Sequence, residues 1–281
     1  MNREQASFAW NCIAKRLRRQ DADCPFCDTP GTEFVAAKNW LLQLRRCSGC
    51  GLMFRWPKET SEENERFYQR DYRDHSITAP PAGGPSSFLD IFEDNGLGYG
   101  STIALLKSME PRGRLLDYGA SWGYHVAQFK EQGYDAIGFE ISEERAEIGR
   151  RRLGVSVVSD LSVLADCSFD IIHCNHVLEH IPDLRAPFLE FNRLLRPGGL
   201  LLAFTPNADG TSARRDGARW PPMINQHHVL ALTAEFFARN LPRYGFATVL
   251  FATSPFTCPA PLDQATQLDG GELMIVGRAG P

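Results

Sequence analysis

An acidic residue follows each of two short apolar runs in the middle of the chain. Asp117 comes after Leu115-Leu116 and precedes a turn of mostly small residues at 119–123, and Glu140 comes after the run 136–139. A buried strand that turns through small residues into a helix opens a Rossmann-like βαβ unit, where a nucleotide-like ligand lies at the carboxyl end of the strand. The pattern predicts a nucleoside site formed by Asp117, Gly119, Ala120, Ser121, Gly123 and Glu140.

The charge of Asp117 indicates which nucleoside the turn would bind. A pyrophosphate is bound by bare N–H groups and the positive end of a helix, and a carboxylate at residue 117 would repel its phosphates. S-adenosylmethionine carries an ammonium and a sulfonium and has no phosphate, so the carboxylate favours its binding. Tyr124 also stands where the pattern G-x-G-x-x-G has its third glycine. The turn therefore favours S-adenosylmethionine over NAD.

Other residues at predicted strand ends could complete the site. Glu140 closes the second strand, where a carboxylate reaches both ribose hydroxyls. Asp160 follows the third run, 155–158, and could accept a hydrogen bond from the adenine amino group, with Leu161 packed on the ring. An aspartate after a strand is also a common turn residue, so both interpretations stay open. Asn175, after the fourth run at 169–174, could contact the cofactor carboxylate or the substrate.

Four cysteines form two C-x-x-C pairs near the N-terminus. Nineteen residues separate Cys24-Pro25-Phe26-Cys27 from Cys47-Ser48-Gly49-Cys50, and the segment between them contains two strand-like runs. Two such pairs at this separation match a tetrahedral zinc ribbon. With sulfur at all four positions the ion has no open site for chemistry, so a structural role is expected. Incidental cysteines or a redox pair are the alternatives.

Strands and helices alternate between residues 114 and 276, which predicts a parallel sheet covered on both faces. We predict an N-terminal part at 1–76, a Pro- and Gly-rich linker at 77–86, and the α/β domain at 87–281. The N-terminal part begins with a helix that bears a basic cluster. That cluster could be the solvated face of an amphipathic helix or a nucleic-acid contact; its residues are Lys15, Arg16, Arg18 and Arg19.

The composition excludes several classes of protein. The chain has 281 residues and a net charge of −4, which disfavours a general nucleic-acid binder. Its apolar runs fall short of the roughly 20 residues that span a bilayer, and its first residues lack the pattern of a signal peptide. Because the C-x-x-C pairs point to metal rather than disulfides, we expect a reducing compartment, the cytoplasm, and no membrane. The oligomeric state stays open.

Together these residues resemble the class I S-adenosylmethionine-dependent methyltransferases. The resemblance implies a seven-stranded sheet with one antiparallel strand, methionine contacts from the first turn and ribose contacts from Glu140. Ser121 is a departure, since a glycine usually stands there. The preceding cysteines resemble a subgroup with an N-terminal zinc ribbon that is often associated with sugar or polysaccharide biosynthesis. The markers of the superfamily are the runs 116–123, 138–140, 169–172, 177–183 and 195–199.

Four histidines lie where a catalytic base is plausible: His176, His180, His227 and His228. Three of them are ranked as candidates. The methyl carbon of S-adenosylmethionine is already activated by its positive sulfur, so its transfer demands mostly positioning of the acceptor and exclusion of water. A hydroxyl acceptor must also lose a proton, usually to histidine. His228 is the first candidate because the stretch before it, 206–225, is predicted to be irregular and looks substrate-facing. His176 is the second and His180 the third, since both follow the fourth strand. A structural hydrogen-bonding role is open for each.

The leading hypothesis from the sequence is O-methylation of a small molecule, such as a sugar or a sugar-bearing intermediate, with S-adenosylmethionine as cofactor and structural Zn²⁺. One alternative is an RNA methyltransferase that uses the ribbon and the basic helix to bind nucleic acid. Another is a non-catalytic cofactor-binding scaffold whose turn has changed at Ser121. The predicted fold is α/β, a Rossmann-like seven-stranded methyltransferase sheet with a small N-terminal zinc-ribbon domain.

Overall fold

The computed structural model of the chain describes residues 3–70, 98–256, 259–265 and 268–281. None of the helices in these ranges is long and apolar enough to cross a membrane. The helices are α1 Arg3–Leu17, α2 Ser61–Arg70, α3 Gly100–Met109, α4 Tyr124–Glu131, α5 Glu143–Ile148, α6 Arg185–Leu194, α7 Thr211–Asp216 and α8 Ala234–Asn240. The strands are β1 Glu33–Lys38, β2 Leu42–Arg46, β3 Met53–Trp56, β4 Arg114–Tyr118, β5 Asp135–Phe139, β6 Val157–Val158, β7 Phe169–Asn175, β8 Leu195–Pro206, β9 Leu230–Ala231, β10 Phe246–Thr253 and β11 Glu272–Ala279.

A seven-stranded sheet has the order β10-β11-β8-β7-β4-β5-β6, which confirms the predicted fold class. Strand β4 pairs in parallel with β5 on one side and β7 on the other, and β5 pairs in parallel with β6. Leu115 and Leu116 of β4 are fully buried, as expected for a central strand that is covered on both faces. The ends of β4 and β5 lie side by side because Tyr118 pairs with Phe139.

A second, four-stranded sheet has the order β1-β2-β3-β9. Strands β1, β2 and β3 form antiparallel pairs, as the ribbon pattern predicts. The fourth strand comes from much later in the chain, and Met53 of β3 pairs with Ala231 of β9. The pairing of β3 with β9 has no local signal in the sequence.

Local sequence signals explain several of the helix ends. Thr60 and Glu63 exchange side-chain and backbone hydrogen bonds of 2.9 and 3.2 Å at the start of α2, which is a capping box. Thr233 caps α8, because its hydroxyl accepts from the N–H of Phe236 at 3.2 Å. The stretch 206–225 was expected to be irregular, yet it contains helix α7. That prediction was wrong.

The chain divides into two compact units. One unit consists of Met1–Asn64, His176–Leu189 and Ala203–Gly277, and the other of Glu65–Asn175, Glu190–Leu202 and Arg278–Pro281. The predicted linker at 77–86 lies outside the described residues, so the domain limits at 76 and 87 stay a prediction. The ribbon cysteines and the three candidate histidines belong to the first unit, and the predicted nucleoside-binding residues belong to the second.

Candidate functional site

The turn after β4 has a backbone that favours glycine. Gly119, Ser121 and Gly123 all have positive φ angles, of 85°, 52° and 80°. An L residue with a side chain rarely adopts this left-handed region, which gives a physical reason why a glycine usually stands at position 121. The N–H groups of Gly119 and Ala120 both donate to the carbonyl of Phe139 at 2.8 Å. The turn is thus fastened to the end of β5.

Ser121 is retained in this strained conformation by two partners. Its N–H donates to Oε2 of Glu140 at 2.8 Å, and its hydroxyl accepts from Nε and Nη2 of Arg145 at 3.0 and 2.8 Å. Arg145 lies on α5, the helix that follows Glu140. The hydroxyl therefore provides a contact between the turn and α5 that a glycine could not make.

Glu140 is buried at the end of β5, as predicted from its position. Its second carboxylate oxygen, Oε1, accepts from the N–H of Ser142 at 2.9 Å. Burial raises the pKa of Glu140, although the two backbone donors and Arg145 oppose that shift. Each oxygen keeps lone pairs after one backbone bond, so the carboxylate is oriented and still able to accept from a ligand hydroxyl.

Asp117 is a buried carboxylate with two histidine neighbours. Its Oδ1 accepts a hydrogen bond of 2.6 Å from Nδ1 of His173, and Nδ1 of His125 lies 3.7 Å from Oδ2. Burial alone would raise the pKa of Asp117, but the two histidines hold it well below its usual value. Among the described residues, Oδ2 accepts no hydrogen bond. A buried, ionised oxygen without a donor suits the ammonium of S-adenosylmethionine.

The remaining predicted cofactor residues lie at strand ends of the same unit. Asp160 is exposed and caps the short 3₁₀ turn Leu161–Val163, where it accepts from the N–H and hydroxyl of Ser162 at 2.9 and 2.7 Å. Leu161 and Asn175 are half-buried, and Asn175 ends β7. Asp160 therefore acts as a turn residue, which was one of its two predicted interpretations. Adenine contacts from Asp160 and Leu161 and a cofactor contact from Asn175 stay predictions.

The candidate histidines meet at a carboxylate that the sequence reasoning did not single out. Glu179 is buried, and its donor atom lies within 4.8 Å of donor atoms of His180 and His228. The rings of His180 and His228 are 4.7 Å apart, edge to face. Burial lowers the pKa of His180 to about 4, although Glu179 raises it, so this imidazole is neutral near pH 7.

His176 lies between two carboxylates. Its Nδ1 donates to Glu179 at 3.1 Å and its Nε2 donates to Glu272 at 2.8 Å. Burial opposes the charged form, but the two carboxylates raise the pKa of His176 to about 10. Although 43% of its side chain is exposed, this histidine is therefore expected to carry a proton at neutral pH.

The four N-terminal cysteines form one cluster, as their spacing predicts. The sulfur atoms of Cys24 and Cys50 are 3.5 Å apart, and so are those of Cys27 and Cys47. All four sulfurs lie within 4.8 Å of one another. Zn–S bonds of about 2.3 Å in a tetrahedron separate the sulfurs by about 3.8 Å. The cluster therefore has the donor set and size of a structural zinc site.

Comparison with known proteins identifies the family. A family model described as a methyltransferase domain matches residues 99–250. A ubiquinone biosynthesis O-methyltransferase of Xanthomonas axonopodis pv. citri is 31% identical over 197 residues, which are 66% of this chain and 74% of that protein. The chain is an S-adenosylmethionine-dependent methyltransferase. The predicted family is thus confirmed.

Two further relatives of the methyltransferase are also named as O-methyltransferases. A malonyl-[acyl-carrier protein] O-methyltransferase of Serratia marcescens is 28% identical over 136 residues, 47% of this chain and 52% of that protein. A ubiquinone biosynthesis O-methyltransferase of Methylococcus capsulatus is 28% identical over 176 residues, 59% and 65% of the two chains. The methyltransferase therefore spans only about half to two thirds of the length of these two relatives.

A solved structure supports the fold. An S-adenosylmethionine-dependent methyltransferase from Thermotoga maritima matches with a TM-score of 0.53 and 22% identity, over 69% of this chain and 95% of that one.

The buried carboxylates of Asp117 and Glu140 fit the cofactor of this family, because they favour its ammonium and its ribose hydroxyls. The carboxylate of Asp117 would not suit a pyrophosphate.

Several side chains in these clusters carried a signal that our sequence reasoning missed. His173 is a polar residue in the middle of a buried apolar strand, where an unpartnered side chain would be costly. Glu179 is likewise an acidic residue inside the family marker 177–183. Tyr99, whose hydroxyl is 3.1 Å from Nε2 of His173, lies outside every motif and could not have been found that way.

Proposed function

We propose that this methyltransferase transfers the methyl group of S-adenosylmethionine to a hydroxyl oxygen of a small molecule. The observation that carries the proposal is that the relatives, including the one 31% identical over 197 residues, are named as O-methyltransferases. In the reaction a C–O bond forms, the C–S bond breaks, and the sulfonium leaves as a neutral thioether. The acceptor oxygen gives up its proton.

Cofactor binding is assigned to the second compact unit. Oδ2 of Asp117 is ionised, buried and without a described donor, and it would bind the methionine ammonium. Glu140, oriented by the N–H groups of Ser121 and Ser142, would accept from the ribose hydroxyls. Asp160, Leu161 and Asn175 would border the adenine and the methionine end.

Activation of the acceptor is assigned to the histidines of the first unit. A base near neutral pH must be unprotonated before the reaction. His176 is a poor base because its pKa is raised to about 10 between Glu179 and Glu272. His228 remains the leading candidate, since the carbonyl of Pro222 accepts from its Nδ1 at 2.8 Å and so leaves Nε2 to take a proton.

The cysteine cluster is assigned to structural zinc. Cys24, Cys27, Cys47 and Cys50 supply four sulfurs, so a bound ion would have no open coordination position. Phe26, which lies between Cys24 and Cys27, packs edge to face on Phe236, with 5.2 Å between the ring centroids. This contact connects the first cysteine pair to helix α8. The zinc would thus stabilise this unit.

A sugar acceptor rests only on the resemblance to the ribbon-bearing subgroup. The relatives' names do not include one. RNA is less favoured as an acceptor, because residues of the basic cluster have partners within the protein. Lys15 donates to the carbonyl of Lys58 at 2.7 Å, and Arg16 donates to the carbonyl of Leu41 at 2.9 Å.

The test is turnover by the full chain with a panel of acceptors that includes phenols, sugars, carboxylic acids and a small RNA. We expect S-adenosylhomocysteine to form only when a hydroxyl-bearing small molecule is present, with the new methyl on oxygen by mass spectrometry. Binding of S-adenosylmethionine without turnover on any acceptor would favour the scaffold alternative. Methylated RNA, with no small-molecule product, would favour the nucleic-acid alternative.

A further inference from the structure

We propose that Glu179, His180 and His228 bind a divalent transition-metal ion at a site separate from the cysteine cluster. The three donor atoms lie within 4.8 Å of one another. Bonds of about 2.1 Å to nitrogen and oxygen in a tetrahedral arrangement separate the donors by about 3.4 Å. Because the donor atoms lie within 4.8 Å of one another, small side-chain rotations would bring them to that spacing.

The two histidines are held in the tautomer that metal ligands use. Nδ1 of His180 donates to the carbonyl of His227 at 3.2 Å, and Nδ1 of His228 donates to the carbonyl of Pro222 at 2.8 Å. A carbonyl only accepts, so Nδ1 of each ring carries a proton and Nε2 is the nitrogen that can coordinate an ion. Carbonyl acceptors behind the ring are the usual outer support of a metal-bound histidine.

The carboxylate is oriented in the same way. Oε1 of Glu179 accepts from Nδ1 of His176 at 3.1 Å, and Oε2 accepts from the hydroxyl of Thr205 at 3.2 Å. His176 is in turn held by Glu272 at 2.8 Å. Ligating carboxylates are typically hydrogen-bonded by such outer residues. Each of the three donor side chains is thus oriented by a hydrogen bond to a residue outside the donor set.

A second cluster with the same residue types is a weaker candidate. Asp117, His125 and His173 also lie within 4.8 Å of one another and are all buried. In that cluster both ring nitrogens of His173 have partners, Nδ1 with Asp117 and Nε2 with the hydroxyl of Tyr99. No lone pair of His173 is left for an ion.

Two imidazoles and one carboxylate select for ions such as Zn²⁺, Mn²⁺, Fe²⁺ or Co²⁺. Three protein ligands also leave a coordination position open. An acceptor hydroxyl bound there would have a lowered pKa and could lose its proton to solvent. This role rests on the proposed function, whereas binding of the ion does not. In that case His228 is a ligand rather than a free base.

The experiment is metal stoichiometry of the full chain, measured without cofactor or acceptor. The protein is stripped with a chelator, equilibrated by dialysis against Zn²⁺ or Co²⁺, and analysed by plasma mass spectrometry. We expect two ions per wild-type chain, one in the double variant His180→Gln/His228→Gln, and one in Cys24→Ser/Cys47→Ser. The matched control is His227→Gln, which changes a neighbouring histidine outside the donor set and should keep both ions.

Cobalt separates the two sites by their spectra. Cobalt bound to the cysteines shows an intense thiolate charge-transfer band, which the His180→Gln/His228→Gln variant should retain, and this retention also shows that its unit is folded. A wild-type chain that binds one ion, all of it lost in the cysteine variant, would overturn the proposal. So would equal metal content in the wild type and the histidine variant. Because neither measurement involves turnover, failure of the proposed O-methylation would leave these results unchanged.

Discussion

The carboxylate of Asp117 at the end of β4 accepts a 2.6 Å hydrogen bond from Nδ1 of His173 on the neighbouring strand β7. Both side chains are completely or almost completely buried, at 1% and 0% exposure. The hydroxyl of Tyr99 lies 3.1 Å from the other ring nitrogen. The predicted cofactor carboxylate is therefore part of the core of its unit, and its orientation depends on residues that would not touch the cofactor.

Replacement of His173 tests this dependence. The variant His173→Leu leaves the buried carboxylate of Asp117 without its closest donor, and a hydrogen bond to a charged group typically contributes about 1.5–3 kcal/mol. We expect the free energy of unfolding in urea to fall by about that amount. The matched control is Tyr99→Phe, which removes one hydroxyl and should cost only about 1 kcal/mol. Equal losses in the two variants would contradict the importance of the Asp117 bond.

Acid should destabilise the unit through His125. Burial lowers the pKa of His125, although Asp117 raises it, and the ring also faces His173, Tyr99 and Tyr124. The unfolded chain binds a proton on this residue below pH about 6.5, whereas the folded chain does so only at lower pH. The free energy of unfolding should therefore fall as the pH decreases below about 6.5, by at most about 1.4 kcal/mol per pH unit from this group.

The variant His125→Phe isolates that contribution. It removes the titrating ring while keeping its size, so its urea midpoint should change less between pH 7.5 and pH 5 than that of the wild type. Parallel pH dependences of the two proteins would show that His125 titrates alike in the folded and unfolded states.

Glu140 should control cofactor affinity. Loss of its carboxylate in Glu140→Ala removes the acceptor for the ribose hydroxyls and the partner of the Ser121 N–H. We expect the Kd for S-adenosylhomocysteine to rise at least tenfold, about 1.4 kcal/mol, in isothermal titration calorimetry. Asp135→Asn, a change at the exposed start of the same strand, serves as the control. An unchanged Kd in Glu140→Ala would remove the ribose assignment.

Gly138 should tolerate no side chain. A Cβ there would lie 2.6 Å from Cβ of Ala120 and 3.0 Å from Cγ2 of Val126, so strand, turn and helix would have to separate. We expect Gly138→Ala to lower stability by about 1–3 kcal/mol, the usual cost of overpacking. Gly100→Ala is the contrast, because no atom of the described residues lies within 4 Å of a Cβ added there and alanine favours the helix. Thermal unfolding of both variants gives the comparison.

Metal removal should change thiol reactivity in a defined order. Cys167 is exposed and should react with a thiol reagent at once, while Cys12 and Cys174 are buried and should react slowly. If zinc holds the cluster, then Cys24, Cys27, Cys47 and Cys50 should become reactive only after a chelator is added. Fast reaction of all four before chelation would contradict zinc binding.

The sequence was sufficient for features that depend on neighbours along the chain. Asp117 and Glu140 could be placed side by side because each ends an apolar run, and parallel strands present their carboxyl ends at one edge. The cysteine cluster could be predicted because four thiols at such spacing have few other uses. Thr233 could be predicted as a cap because only its own helix is involved.

Contacts between distant segments could not be obtained in this way. Glu179 meets His228 because a loop returns to the 3₁₀ turn Leu178–His180, and no spacing rule encodes that return. The charge of His176 depends on Glu272, which lies on another strand. The order of His228 before His176 was already predicted from the sequence, but the charge that makes His176 a poor base could be recognised only in the folded arrangement.

The two residues of β9 determine when the four-stranded sheet can complete its folding during synthesis. They complete the sheet that the cysteine-bearing segment begins, and Asn240, just beyond them, donates to the carbonyl of Cys50 at 2.9 Å. Residues as far as Asn240 must therefore leave the ribosome before the cysteine-bearing segment can finish folding. Until then β3 offers an open strand edge to other nascent chains.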